Sequence, residues 1–197
     1  QADDALQIMT IHNSKGLEFD LVILPQLDKS VKGDTASIKY LPGKEGEQGL
    51  LGIKVPDKEM QLQNSGVYEL AKEHDKVLEE EEARRLLYVA MTRAKEKLVM
   101  VHTQANAKSR VADLLALSDC PVLPEAVDSG KCMGDWIMLP LLQRSEAASL
   151  RELAGQNGEG RFYADETPWT VRVHDGLSFV TPQQRPDDAP VDAAPPK

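Results

Sequence analysis

Short apolar runs separated by polar loops dominate the first hundred residues. Residues 6–11 and 20–24 each predict a buried strand, with a polar loop between them. Residues 97–102 predict another strand, because an inner strand of a parallel sheet is short and almost entirely apolar. No residue between 67 and 95 breaks a helix, so this stretch predicts one long helix or two with a bend. Strands connected through helices indicate an α/β fold.

The spacing of apolar residues in the long helix predicts which of its faces is buried. Apolar side chains recur at intervals of three and four residues, beside dense charge, as they do in a helix that packs one face on a core. The predicted buried face consists of Leu70, His74, Val77, Leu78, Leu86, Val89 and Ala90.

The pattern changes at two further places along the chain. Residues 28–66 are rich in Gly, Lys and Asp, and two short strands are predicted there, at 38–41 and 50–55, around a turn region. We interpret residues 28–66 as an insertion on the surface. After Thr103 the helical pattern returns, and helices are predicted at 111–117 and 135–142.

The carboxyl-terminal end is predicted to finish in a hairpin and a tail. Ser145 is the expected N-cap of a last helix, which ends at Leu153. Alternating residues at 169–173 predict a strand that pairs with 177–180. The predicted organisation therefore has three parts: a first domain at 1–104, a mostly helical extension with a terminal hairpin at 105–181, and a disordered linker or tail at 182–197.

Charge and composition narrow the class of protein. A net charge of -9 argues against a surface that is basic throughout, as a general nucleic-acid binder would need. A local cationic site remains compatible with it, because six cations fall in or beside the polar segments 10–19 and 82–97: Lys15, Arg84, Arg85, Arg93, Lys95 and Lys97.

The remaining composition favours a cytoplasmic protein without a metal site. Cys120 and Cys132 have no metal-type spacing and no His/Cys cluster beside them, so we expect no bound metal. No apolar stretch approaches the roughly 20 residues that cross a bilayer, and no membrane contact is expected. The chain begins at Gln1 rather than Met, as expected for a piece of a longer protein.

Arg93 lies at the junction between the long helix and the strand that follows it. In phosphoryl transfer, an arginine that reaches past a sheet edge stabilises charge on the moving phosphate, with effects on the order of 10³ to 10⁵ in rate. Its planar, permanently charged fork suits phosphate better than lysine does. Taken alone, however, an arginine at this position is more often a helix-terminal residue favoured by the helix dipole.

A second polar segment lies between the first two predicted strands. At the carboxyl end of a strand, where open α/β sheets bind ligands, the loop crowds together Thr10, His12, Asn13, Ser14 and Lys15. Such hydrogen-bonding groups and one positive charge suit a sugar-phosphate backbone. A polar connection with a solvated lysine explains the loop equally well when it is taken alone.

The sequence also predicts roles for two residues that follow this loop. Gly16 permits a backbone shape or a close approach that other residues forbid, and Glu18 can accept a hydrogen bond from a ribose hydroxyl. The chain has no Gly-x-x-x-x-Gly-Lys-Ser/Thr loop to cradle phosphates, and no apolar strand ending in an acidic pair to hold magnesium. We therefore expect residues 1–197 alone to be inactive toward nucleotides.

Together, the two polar segments resemble one known family. Residues 10–19 resemble motif V of superfamily one DNA helicases of the UvrD/Rep type, and residues 82–97 resemble motif VI, with its Tyr-Val-Ala-Met-Thr-Arg-Ala core intact. Within that family, three stretches are similar to the AddA-type subunit of the bacterial helicase-nuclease that processes double-strand breaks: 94–98, 135–140 and 169–171.

The resemblance implies the second RecA-like motor domain of an ATP-dependent 3′-to-5′ DNA helicase in repair and recombination. Arg93 would be the arginine finger on the γ-phosphate of ATP, and Gly16, Glu18 and Tyr88 would lie at the nucleotide. The residues implied to contact single-stranded DNA are Thr10, His12, Asn13 and Lys15.

Other partners are implied by the same resemblance. The first motor domain of the longer chain would hold ATP and Mg²⁺, and double-stranded DNA and an AddB-type subunit would complete the assembly. Asp165 and Glu166 lack the strand context of a nuclease site, so no nuclease activity is expected here. The alternative is a non-catalytic interaction module, in which the loop and helix form a surface for a partner subunit.

Overall fold

The computed structural model describes residues 5–31, 36–119, 121–156, 167, 169–174 and 176. Within them lie the strands β1 (Phe19–Leu24), β2 (Ile38–Leu41), β3 (Leu50–Pro56), β4 (Leu62–Asn64) and β5 (Ala94–Met100). The α-helices are α1 (Gly66–Met91), α2 (Ala107–Leu117), α3 (Pro124–Asp128), α4 (Met133–Leu141) and α5 (Ala148–Leu153). None of these helices combines the length and apolarity needed to cross a bilayer.

A parallel pair of strands joins the two ends of the first hundred residues. β1 lies beside β5, with Val22 opposite Leu98, and α1 is part of the crossover that a parallel pair requires. The α/β prediction with a parallel sheet and flanking helices is confirmed. The last strand was predicted three residues too late, at 97, whereas β5 begins at Ala94.

The strand predicted at 6–11 is wrong. Residues 5–10 form no strand, and Leu6 and Ile8 are 84% and 91% exposed. An apolar run becomes a strand only where a neighbouring strand accepts its backbone hydrogen bonds, and among the described residues β1 pairs with β5 alone. The polar loop therefore lies at the amino end of β1 and does not follow the carboxyl end of an earlier strand.

The predicted insertion forms a small antiparallel sheet of β2, β3 and β4. The first two strands are confirmed, whereas the sequence missed the three-residue β4 because it contains a single apolar residue. The sheet packs closely on α1, since a Cβ at Gly52 would lie 2.4 Å from the Cα of Tyr68. Lys39 Nζ also donates to Asp75 Oδ2 on α1 at 2.7 Å.

The long helix is a single element, as predicted, and begins where the Ser65 hydroxyl accepts a hydrogen bond from the Tyr68 amide. Its buried face was predicted wrongly in the amino-terminal half, where Leu70 is 63% exposed. The buried residues of α1 are instead Tyr68, Ala71, Ala83, Leu87 and Ala90. Tyr68 lies against the insertion sheet, whereas Ala83 and Leu87 pack with Leu27 and Trp136.

The helices predicted at 111–117 and 135–142 are confirmed as α2 and α4. The N-cap prediction for Ser145 is wrong, because a 3₁₀ turn at Ser145–Ala147 precedes α5 and the cap residue is Ala147. Ser145 donates to the neighbouring Glu146 carboxylate instead. These helices bury an apolar core that consists of Val111, Leu114, Ala126, Met138, Leu139 and Leu142.

The predicted terminal strand is also absent from the described residues. Residues 169–174 form no strand. Alternation of apolar and polar residues does not show which neighbouring strand would accept their backbone hydrogen bonds. The guanidinium of Arg144 lies 5.5 Å from the Trp169 ring centroid instead. The proposed second strand at 177–180 and the tail at 182–197 lie outside the described residues.

The helical extension packs directly on the carboxyl-terminal half of α1. Trp136 of α4 shares a buried cluster with Leu27, Ala83 and Leu87, and the Gly134 amide donates to the Leu27 carbonyl at 2.8 Å. The end of α1 is thereby supported on one side. The proposed boundary between 1–104 and 105–181 remains a prediction.

Candidate functional site

The polar loop before β1 is a compact turn held by its own hydrogen bonds. Residues His12–Ser14 form a 3₁₀ helix, and the Thr10 hydroxyl accepts a hydrogen bond from the Asn13 amide at 3.3 Å. The Ser14 hydroxyl donates to the Ile11 carbonyl at 2.7 Å, and Ser14 is buried. Ser14 therefore has a structural role, whereas the side chains that remain exposed belong to Thr10, His12, Asn13 and Lys15.

Gly16 changes the direction of the chain between this turn and β1. Its φ is +81°, a conformation that costs little for glycine and strains other residues. Apart from Gly16 itself and its two chain neighbours, none of the described residues places an atom within 4 Å of where a Cβ would be. Of the two predicted reasons for a glycine, the backbone conformation therefore applies in this structure.

The backbone of Arg93 is hydrogen-bonded to the start of β1, directly after the polar segment. α1 ends at Met91 and β5 begins at Ala94, opposite Phe19 of β1. The Phe19 amide donates to the Arg93 carbonyl at 2.9 Å. The two polar segments that the sequence separates are thus adjacent at the amino edge of the parallel pair.

The guanidinium of Arg93 is held by three acceptors. Nε donates to the Val89 carbonyl at 3.1 Å, and Nη2 donates to the Thr92 hydroxyl at 3.1 Å. Nη1 donates across to the Leu17 carbonyl, also at 3.1 Å. Because a guanidinium carries five N–H donors, two remain for a ligand.

Within the described part of the chain, the charged groups near Arg93 pair with one another and not with its guanidinium. Glu18, the nearest acid in the segment before β1, pairs with Lys95, with Oε2 3.4 Å from Nζ. Among the described residues, no carboxylate forms an ion pair with Arg93, which is partly buried. A fixed cation with spare donors and no counter-ion is suited to binding an anion.

The structure brings some of the predicted site residues together and leaves others apart. Gly16, Glu18 and Arg93 share the amino edge of the parallel pair. Tyr88 lies on the last turns of α1 and is 70% exposed, and no described residue forms a hydrogen bond with its hydroxyl. Its predicted role at the nucleotide stays a prediction.

Sequence reasoning missed the groups that hold Arg93 in place. Two of them are backbone carbonyls, at Leu17 and Val89, which no side-chain pattern reveals. The third is the Thr92 hydroxyl, which lies directly before the arginine in the sequence. A helix C-terminus with an adjacent hydroxyl and guanidinium was the available signal, because both groups can satisfy free carbonyls there.

One cluster elsewhere has the composition of a metal site. His102, Cys132 and Asp135 each place one ligand atom within 4.8 Å of the others, and neither ring nitrogen of His102 has a hydrogen-bond partner. Both Asp135 oxygens already accept hydrogen bonds from Arg110, however, and that fixed positive charge opposes a cation beside them. Burial raises the pKa of the Cys132 thiol and so favours its protonated form. We therefore assign no metal to the cluster.

Comparison with known families identifies the fold that carries this site. Residues 1–105 match the model of the UvrD-like helicase C-terminal domain, a stretch that contains both polar segments and the parallel pair. The chain belongs to this family.

Similar proteins extend the match beyond residues 1–105. The chain is 30% identical over 187 residues to proteins named as ATP-dependent helicase/nuclease A subunits from Bacillus thuringiensis, Bacillus cereus and Bacillus anthracis. The alignment covers 93% of this chain but 15% of each relative. The chain therefore spans a small part of the length of the curated relatives it matches.

Proposed function

We propose that this chain supplies the second half of a composite ATPase site in the motor of an ATP-dependent 3′-to-5′ DNA helicase. The longer protein would be a helicase/nuclease subunit of the AddA type, acting in double-strand break repair and recombination. The support for this proposal is family membership together with 30% identity to proteins whose name includes ATP-dependent helicase.

The observation that carries the proposal is the state of Arg93. Its guanidinium is tethered to Val89, Thr92 and Leu17, has two N–H donors to spare and lacks an acidic partner among the described residues. An arginine finger needs these properties, because a positioned cation can stabilise transition-state charge without reorganising first. ATP would lie between Arg93 and the first motor domain, whose phosphate loop would hold the nucleotide and Mg²⁺.

Glu18 and Gly16 would serve the same nucleotide. The Glu18 side chain is 63% exposed, and within the described part of the chain its one ion pair is with Lys95, so a ribose hydroxyl could reach it without displacing a buried contact. Gly16 would aim the chain toward the ligand through its positive φ.

The exposed 3₁₀ turn would face single-stranded DNA. The Lys15 ammonium would approach the phosphates, while Thr10, His12 and Asn13 would offer further hydrogen-bonding groups. The turn is already ordered by its internal hydrogen bonds, so DNA binding would require little further ordering.

The test of the proposal is an Arg93→Ala substitution in the full-length protein, with DNA-stimulated ATP hydrolysis as the readout. We expect turnover to fall by about 10³-fold or more, because the finger contributes on this scale. The matched control is Arg85→Ala on α1, where the side chain is 70% exposed and pairs with Glu82. That control should keep near-normal turnover.

Near-normal ATP hydrolysis by Arg93→Ala would contradict the proposal. The result would favour the alternative of a non-catalytic module, in which the loop and α1 form a surface for a partner subunit. Equal losses in Arg93→Ala and Arg85→Ala would also count against a specific role for Arg93.

A further inference from the structure

We propose that Thr92 is a positioning residue that orients the guanidinium of Arg93 toward the phosphate. The inference rests on the proposed function, since it concerns the arginine finger itself. It assigns to the residue before the finger a role in turnover rather than in nucleotide affinity.

The direction of the Thr92 hydrogen bonds is determined by the single hydroxyl proton. Oγ1 lies 2.9 Å from the Val89 carbonyl oxygen, which can only accept, so the hydroxyl donates its proton there. Toward Arg93 the same oxygen must therefore act as acceptor, and Nη2 donates to it at 3.1 Å. The Thr92 hydroxyl thus connects the helix backbone at Val89 to the guanidinium of Arg93.

The end of α1 explains why the Val89 carbonyl is available. In a continuing helix it would accept from the amide four residues later, that of Arg93. The Arg93 amide instead donates to the Ala90 carbonyl at 3.2 Å. Two side-chain donors take its place, the Thr92 hydroxyl and Nε of Arg93.

These contacts restrain the guanidinium plane from two elements. Nε and Nη2 are bound to the end of α1, and Nη1 is bound to the Leu17 carbonyl before β1. Of the three acceptors, the Thr92 hydroxyl alone belongs to a side chain. It is therefore the tether that a substitution can remove while the other two remain.

The exposed position of Thr92 makes a clean substitution feasible. Valine has nearly the shape of threonine but lacks the hydroxyl, whereas serine keeps the hydroxyl and lacks the methyl group. Thr92 lies at the surface, so neither change opens a cavity in a core. Different behaviour of the two variants would report the hydrogen bond rather than the packing.

The experiment measures kcat and KM for ATP in the full-length protein with saturating single-stranded DNA. We expect Thr92→Val to lower kcat by about 10- to 100-fold, the effect of losing one hydrogen bond to a charged group. The KM for ATP should stay within about twofold, because the first motor domain would provide most of the nucleotide contacts. Thr92→Ser should restore kcat to near the wild-type value, and Thr92→Ala should behave like Thr92→Val.

Arg93→Ala serves in the same assay to separate the two proposals. If Arg93→Ala loses turnover while Thr92→Val keeps it, the positioning role is overturned and the finger stands. If Arg93→Ala itself keeps turnover, the proposed function fails. Equal losses in the valine and serine variants would also overturn the positioning role, since serine retains the hydroxyl.

A double variant adds a readout that a purely structural role would not change. When Thr92 acts only through Arg93, Thr92→Val should have no further effect on kcat in the Arg93→Ala background. An independent additional loss there would overturn the inference. Thermal unfolding of each variant should match the wild-type protein within about 2 °C, as expected for an exposed substitution.

Discussion

The parallel pair that carries the candidate site and the helical extension beside it bury their apolar residues to very different extents. In the extension, Leu114, Leu139 and Leu142 are completely buried. In β1, Leu21 and Ile23 are 51% and 50% exposed. The extension has a closed core of its own, whereas β1 leaves two of its apolar side chains half exposed and packs only its last residue, Leu24, on the cluster around Trp136.

The two regions also differ in whether their charged side chains are paired with an opposite charge. Asp135 in the extension is almost fully buried and bound to Arg110, so each charge neutralises the other. At the site, Arg93 has hydrogen-bond acceptors but no counter-ion among the described residues. We therefore expect stability and the proposed ligand binding to depend on different residues, so that substitutions should separate the two properties.

The largest effect on stability is expected from Asp135→Asn. The Asp135 carboxylate accepts hydrogen bonds from Arg110 and, at 2.7 Å, from the Lys131 amide. Removing its charge leaves Arg110 largely buried and unpaired, which should lower the free energy of unfolding by about 3 to 5 kcal/mol. Urea unfolding is the measurement, and Asp128→Asn is the control, because its pair with Arg84 is exposed.

The pH dependence of the same variant gives a second readout. Burial would raise the pKa of Asp135, but Arg110 and the Lys131 amide outweigh it and hold that pKa below 3.8. The folded protein then binds fewer protons than the unfolded chain, so the contribution is present above about pH 4 and is lost as pH falls through the folded pKa. The gap between wild type and Asp135→Asn should therefore narrow below pH 4. A constant gap would contradict this explanation.

The difference in burial is tested by a pair of truncations. Leu139→Ala should lower the free energy of unfolding of residues 1–197 by about 2 to 5 kcal/mol, because it leaves a cavity in a closed core. Ile23→Ala should cost less than about 1 kcal/mol, because half of its side chain is already in water. Equal losses of unfolding free energy in the two variants would contradict the difference in burial between the two regions. A larger loss for Ile23→Ala in the longer protein would indicate that other segments cover β1.

The smallest effect is expected from a single charge in the 3₁₀ turn. Lys15→Ala in the full-length protein should weaken single-stranded DNA binding and reduce the slope of log affinity against log salt by about 0.7, the value for one phosphate contact. Stability should not change. Lys58→Ala, an exposed lysine in the loop between β3 and β4, is the control and should leave the slope unchanged. An unaltered slope for Lys15→Ala would show that Lys15 makes no phosphate contact and would contradict its proposed role in DNA binding.

Local features of the chain were predictable where neighbouring residues decide them. The single helix α1, the strands β2 and β3, and the helices α2 and α4 all follow from apolar spacing and breakers. The strand predicted at 6–11 and the buried face with Leu70 failed, because pairing partners and packing surfaces are chosen over long sequence separations. The acceptors on Arg93 escaped prediction because two of them are carbonyls that every residue possesses.

By itself, the sequence determined that a permanently charged arginine ends a long helix and that a glycine turn precedes a short apolar strand. Only the tertiary structure decided that these features meet, with Arg93 reaching the Leu17 carbonyl across 76 positions of the chain. The physical reason is the parallel pairing of β1 with β5, which aligns the starts of two distant strands at one edge. Helix formation depends on near neighbours, whereas strand pairing depends on residues that only folding brings together.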